Sequence, residues 1–116
     1  MKKILVIFIT FLLLSGCSNQ EKENINIHKL MNENEYIIID VRTKEEYIEE
    51  HVIDAINIPY DEINEDIEID KDKLIFVYCK SGNRSNIAYN TLIELGYVVY
   101  DLGAISDIDL EKEKSL

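Results

Sequence analysis

The sequence predicts an α/β domain: a small, mostly parallel β-sheet flanked by helices. Three observations carry that prediction. Two apolar runs of strand length, "YIIID" (Tyr36 to Asp40) and "LIFVY" (Leu74 to Tyr78), are continuous rather than alternating, the pattern of strands covered on both faces. Helical stretches and short strands alternate along the chain, so parallel neighbours can be joined by crossovers. The 116 residues, 47% apolar and 30% charged, suit one compact domain with a core and argue against disorder.

The chain opens with Lys2 and Lys3, followed by an apolar run from Ile4 to Leu14 broken only by Thr10. At ~1.5 Å per residue the run is too short to cross a ~30 Å hydrocarbon core, and it reads as a signal peptide. It ends in "LSGC", Leu14 to Cys17, which resembles the lipobox of bacterial lipoproteins: an apolar residue, two small residues that admit the peptidase, then the cysteine that is acylated. The expected processing removes residues 1–16 and leaves lipid on Cys17. Residues 17–24, with "SNQEKEN", then form a short polar tether, and residues 25–116 the domain. Several acyl chains on one residue anchor stably. The expected location is therefore the cell membrane, lipid-anchored, on the extracytoplasmic side. An uncleaved anchor and an ordinary signal peptide are the competing readings, and both still export the domain.

The remaining elements follow in order. His28 falls in a first helix, as a surface residue. "YIIID" is the first long strand and ends in an acid. In "TKEEYIEEH", Thr43 is the expected N-cap, and Glu46 three residues on completes a capping box. "AINIPY" (Ala55 to Tyr60) is a short alternating strand stopped by Pro59. "LIFVY" is the second buried strand. In "SNIAYNTLIELGY", Ala88, Leu92 and Leu95 share one helical face and Gly96 marks the C-terminal stop. "VVYDL" (Val98 to Leu102) is the last strand.

Charge narrows the function classes. The chain has 12 basic and 23 acidic residues, a net charge of −11; losing Lys2 and Lys3 with the signal peptide would leave 10 against 23, or −13. Such an excess repels nucleic acid and anionic headgroups, so membrane attachment falls to the acyl chains. The acidic runs "TKEEYIEE" and "DEINEDIEIDKDK" read as solvated faces and loops. No cluster of metal-ligand spacing is present, and no cofactor is expected.

Cysteine is scarce and its placement is informative. With Cys17 lipidated, Cys79 has no intramolecular partner in a compartment where cysteines usually pair. Cys79 follows the carboxyl end of "LIFVY", where open α/β sheets place their ligand sites, and its loop "CKSGNRS" runs into a helix. Unpaired N–H groups and the positive end of the helix dipole point into such a loop. Gly82 lets the backbone fold into an anion-holding nest, while Lys80 and Arg84 add positive charge. Surroundings of this kind lower a cysteine pKa from ~8.5 into the range ~3.5 to 7.5. The stretch therefore predicts a nucleophilic sulfur with an anion cradle beside it. A buried structural cysteine is the competing reading.

The loop is similar to the active-site loop of the rhodanese (sulfurtransferase) family, commonly Cys-x-x-Gly-x-Arg-Ser before a helix. The likeness extends to "IIDVRTKEEYIEEHVIDAINIPY" (Ile38 to Tyr60), which resembles the family's Asp-Val-Arg, Glu-Tyr helix, His and Ala-x-Asn-Ile-Pro signature, and to "YDLGAISDID" (Tyr100 to Asp109). It spans essentially all of Ile25 to Asp109, in order. The resemblance implies a rhodanese-like single domain in which Cys79 takes the outer sulfur of a donor such as thiosulfate or a persulfide. The resulting Cys79 persulfide passes that sulfur to cyanide or a thiol. It implies that the backbone of Lys80, Ser81, Gly82, Asn83, Arg84 and Ser85 holds the persulfide, with Lys80 and Arg84 attracting an anionic donor and no metal or organic cofactor taking part. Asp40 and Arg42 would orient loops through hydrogen bonds and an ion pair, His51 would make a structural hydrogen bond, and Asn57 and Pro59 would shape a turn.

Dual-specificity phosphatases of the same fold place five residues between cysteine and arginine. Here four, Lys80 to Asn83, separate Cys79 from Arg84, which suits a sulfur atom better than a phosphoryl group. A non-catalytic or regulatory rhodanese-like module, binding a partner or sensing thiols, stays open as the alternative. Some positions depart from the family pattern: Glu50 and Asp54 replace common glycines, Ala104 the second glycine of a frequent pair, and Ile108 a usual tryptophan. The C-terminal element that closes the sheet is expected to be abbreviated. These changes bear on turn stability and substrate access and leave the loop intact.

Overall fold

The computed structural model describes residues 26–115; the expected signal peptide, Cys17 and the tether lie outside the described residues. The elements in chain order are α1 (Ile27–Glu33), β1 (Tyr36–Asp40), α2 (Lys44–Glu49), β2 (His51–Val52), β3 (Ile56–Asn57), a 3₁₀ turn at Tyr60–Glu62, β4 (Leu74–Cys79), α3 (Asn83–Glu94), β5 (Val98–Ala104), a 3₁₀ turn at Ile105–Asp107 and β6 (Lys112–Glu113). Four strands form one parallel sheet in the order β3-β1-β4-β5.

The continuous apolar runs are explained by cores on both faces. Along β4, Ile75, Val77 and Cys79 join Ile39, Val41 and Val99 beneath Ala88 and Leu92 of α3. The alternate residues Phe76 and Tyr78 join Ile38, Val52, Ala55, Ile105 and Ile108 on the other face, where Ile27, Leu30 and Met31 of α1 and Tyr47 of α2 close the layer. Each residue of Ile75 to Cys79 is 0% exposed, so neither face could tolerate the polar half of an alternating pattern. α3 stops where expected: Gly96 adopts φ +97°, and the Tyr97 N–H donates back to the Leu92 carbonyl at 3.1 Å.

The capping box forms as read. The Glu46 N–H donates to Thr43 Oγ1 at 3.2 Å and the Thr43 N–H to Glu46 Oε1 at 3.0 Å. Other boundaries shift. The strand expected over Ala55 to Tyr60 contracts to Ile56–Asn57, because Pro59 has no N–H for a ladder and the chain turns at Tyr60. β4 runs one residue further than "LIFVY", making Cys79 the last residue of the strand. β5 continues to Ala104 across a register shift opposite Val77 and Tyr78. The tail adds β6, which pairs antiparallel with β2 through His51↔Glu113 and Val52↔Lys112.

The substituted glycines resolve into different cases. Ala104 is extended (φ −83°) and Glu50 is extended (φ −168°), so a side chain costs nothing at either. Asp54 keeps a left-handed backbone, φ +72°, and carries the Cβ penalty that glycine would avoid. Ile108 is buried and fills its place in the core.

Candidate active site

Parallel neighbours end together, so β1 and β4 deliver two polar clusters to the same edge of the sheet. At the end of β1, Asp40 is fully buried and Arg42 nearly so. Arg42 Nε donates to Asp40 Oδ1 at 2.9 Å, Nη2 to Oδ2 at 2.7 Å, and the Arg42 N–H to Oδ1 at 2.9 Å. Nη2 also donates to the Glu50 carbonyl, and Asn57 Nδ2 to the carbonyls of Asp40 and Arg42, both at 3.0 Å. Burial works against the guanidinium charge, but the hydrogen bonds and charge of Asp40 outweigh it and hold the Arg42 pKa above its ordinary value. The pair ties the β1 loop to the segment before β2.

At the end of β4 the group is a sulfur, and its partners come mainly from the backbone. Cys79 Sγ accepts the Gly82 N–H at 2.9 Å and lies 3.5 Å from Ser85 Oγ, which in turn donates to the Gly82 carbonyl at 3.1 Å. Gly82 is the residue before α3 and has φ +100°; a Cβ there would meet only Gly103 Cα at 3.9 Å, so conformation rather than space demands glycine. Burial pushes the Cys79 thiol up, yet the Ser85 hydroxyl and the N–H groups of Ser85, Gly82 and Ser81 outweigh it, and the pKa lies below the ordinary value. The sulfur is buried, yet its surroundings favour the thiolate. Cys79 is 0% exposed, while Lys80 and Ser81 immediately after it are exposed.

The charged residues divide. Arg84 is committed to Glu46: Nη1 donates to Oε1 at 2.7 Å and Nη2 to Oε2 at 3.0 Å. Arg84 thus links the starts of α2 and α3, and its anion-attracting capacity is largely taken up. The bidentate Arg84 contact, reinforced by Thr43, lowers the Glu46 pKa to about 2. Glu46 was legible only as a capping residue; its second bond depends on a partner 38 positions away. Lys80 is exposed and has no carboxylate within ion-pair distance among the described residues. Ser81 and Asn83 are also exposed. An open cleft of about 250 Å³ beside the loop is lined by Arg42, Glu46, Glu49, Glu50, Lys80 and Ile105.

The histidines stay outside the sulfur's hydrogen-bond shell. His51 is buried at the β2–β6 corner, stacked 3.9 Å from the Tyr47 ring, with Nδ1 2.9 Å from the Tyr47 carbonyl and Nε2 3.2 Å from Glu113 Oε2. His28 is exposed on α1, 3.5 Å from Asp109. The cradle therefore supplies a sulfur nucleophile held by N–H donors, with no histidine base against it.

Known proteins align with this arrangement. Residues 25–107 match the family model for the rhodanese-like domain. The chain is 44% identical over 80 residues to the thiosulfate sulfurtransferase PspE of Escherichia coli, covering 66% of this chain and 77% of that protein. A solved structure described as rhodanese with anions, from E. coli, superposes with a TM-score of 0.63 at 39% identity, over 68% of this chain and 98% of the other. In a probable molybdopterin-synthase adenylyltransferase of Porphyra purpurea, 40% identical over 88 residues, the match spans only 23% of that longer protein. With the family model spanning most of the chain, and the sheet, the loop and its cysteine in place, the chain belongs to the rhodanese-like domain family, as a transferase of the sulfurtransferase type.

Proposed function

We propose that this transferase carries sulfane sulfur on Cys79. The Cys79 thiolate attacks the outer sulfur of a persulfide or thiosulfate; the donor S–S bond breaks, and its electron pair leaves with the thiol or with sulfite. The Cys79 persulfide then yields its terminal sulfur to a thiolate or cyanide, giving an acceptor persulfide or thiocyanate and restoring the thiolate. The observation that carries this reading is the set of donors around Sγ, from Gly82, Ser81 and Ser85, which stabilises negative charge where the outgoing thiolate reforms. The loop Lys80 to Ser85 is the persulfide cradle, and Asp40 and Arg42 brace its surroundings. On the same reading residues 1–16 are removed, Cys17 carries the lipid, and the domain works on the extracytoplasmic face of the membrane; palmitate labelling lost in Cys17→Ser tests that part.

Intact mass spectrometry tests the chemistry. After incubation with thiosulfate, and separately with a polysulfide, wild type gains one sulfur that cyanide removes as thiocyanate, whereas Cys79→Ser gains none. A folded wild type that gains no sulfur from either donor overturns the reading. The full burial of Cys79 favours a second reading in that event: a sensing or binding module whose loop opens only on a partner.

A further inference from the structure

We propose that the cleft beside the loop selects a small persulfide carried on an aminothiol over dianionic thiosulfate, through Lys80, Glu49 and Glu50. The inference deepens the sulfur-transfer reading and rests on it. Two cations line the cleft, Arg42 and Lys80, and Arg42 is already partnered by buried Asp40, while the third acid of the lining, Glu46, has both oxygens taken by Arg84. Lys80 is left to meet an incoming anion. Glu49 and Glu50 line the same cleft, are exposed, and have no cationic partner or side-chain hydrogen bond among the described residues. A donor entering here meets one ammonium and two unneutralised carboxylates, in a chain whose net charge is −11.

That field repels a dianion and suits a zwitterion. Cysteamine persulfide carries an ammonium that Glu49 and Glu50 can take and a sulfur end that Lys80 can receive, and it is small enough for about 250 Å³. The bound zwitterion takes one proton from solvent on its terminal sulfur, and the transfer then balances: Cys79 thiolate attacks the outer sulfur, the donor S–S bond breaks as the Cys79 S–S bond forms, the proton stays on the transferred sulfur, and the electron pair leaves on the aminothiol. The Ile105 wall offers the two-carbon linker an apolar surface.

The test compares kcat/KM for thiosulfate and for cysteamine persulfide in wild type, E49Q/E50Q and K80Q, at low and high salt, with thermal melts confirming folding. For wild type the ratio should favour the aminothiol persulfide, and salt should raise the thiosulfate value as repulsion is screened. E49Q/E50Q should raise thiosulfate turnover about tenfold at low salt, the size expected for a dianion roughly 8 Å from two unit charges in water with partial screening, and the gain should vanish at ~1 M salt. K80Q should move thiosulfate in the opposite direction. A wild-type thiosulfate rate that falls with salt, or a donor ratio unmoved in folded E49Q/E50Q, overturns the inference while the persulfide on Cys79 still stands. Failure of Cys79 to take sulfur from either donor overturns both.

Discussion

The carboxyl ends of β1 and β4 lie side by side in one sheet, and each buries a polar group differently. At β1, the two oxygens of Asp40 are saturated by one guanidinium and one N–H, and Arg42 and Asn57 knit the surrounding carbonyls together. At β4, the sulfur is held by one short backbone N–H contact and a hydroxyl at 3.5 Å, and the residues outside it are exposed. A saturated cluster fixes structure, because any change leaves a buried charge alone. A sulfur held mainly by N–H donors can lose a proton, gain a sulfur atom and return without dismantling its shell. Equal burial thus coexists with opposite roles, and the partners decide which is which.

Breaking the β1 end should have the largest effect. Arg42→Met leaves the Asp40 carboxylate buried and unpaired, a change expected to cost ~3–5 kcal/mol and to collapse the urea midpoint or unfold the protein. Cys79→Ser, by contrast, should melt within a few degrees of wild type while losing sulfur transfer. A variant at Arg42 that melts like wild type would erase the contrast between the two ends.

Ser85→Ala sharpens the β4 end. Removing the hydroxyl takes away the strongest of the interactions that lower the Cys79 pKa, so the pH inflection of thiol alkylation should move upward. An inflection that stays in place would assign the activation to the N–H groups alone. Glu46→Gln probes the link between α2 and α3. The folded Glu46 pKa is depressed from 4.5 to about 2, so its stabilisation is complete above pH 4.5 and is lost as pH falls towards 2. At neutral pH the substitution should cost about 1 kcal/mol, allowing for the solvent exposure of the pair, and the variant should lose less stability than wild type between pH 5 and 2. The smallest effect belongs to the turn before β3: Asp54→Gly removes the left-handed Cβ penalty and should raise Tm by ~2–4 °C, since glycine's extra unfolded-state freedom offsets part of the gain.

What could be read from the sequence was what neighbours along the chain determine. The buried strands showed as unbroken apolar runs, the α2 capping box as Thr43 and Glu46 three apart, and the Asp40–Arg42 pair as two residues on one strand end. Interactions closed by distant segments were not readable. The Glu46–Arg84 bond spans 38 positions, so Arg84 read as a free cation for the donor. β6 has the sequence "KE", with no strand pattern of its own, and forms only because β2 offers a ladder. Cys79 read as a loop residue, whereas β4 extends through it and α3 covers it.

The most direct measurement is the pH dependence of Cys79 alkylation in a Cys17→Ser protein, where Cys79 is the sole thiol. An inflection clearly below the ~8.5 of an unperturbed cysteine is the predicted result, showing that the backbone N–H groups and the Ser85 hydroxyl together outweigh burial. An inflection at or above ~8.5 in the folded protein would show burial winning, and would contradict the claim that this loop holds an activated sulfur.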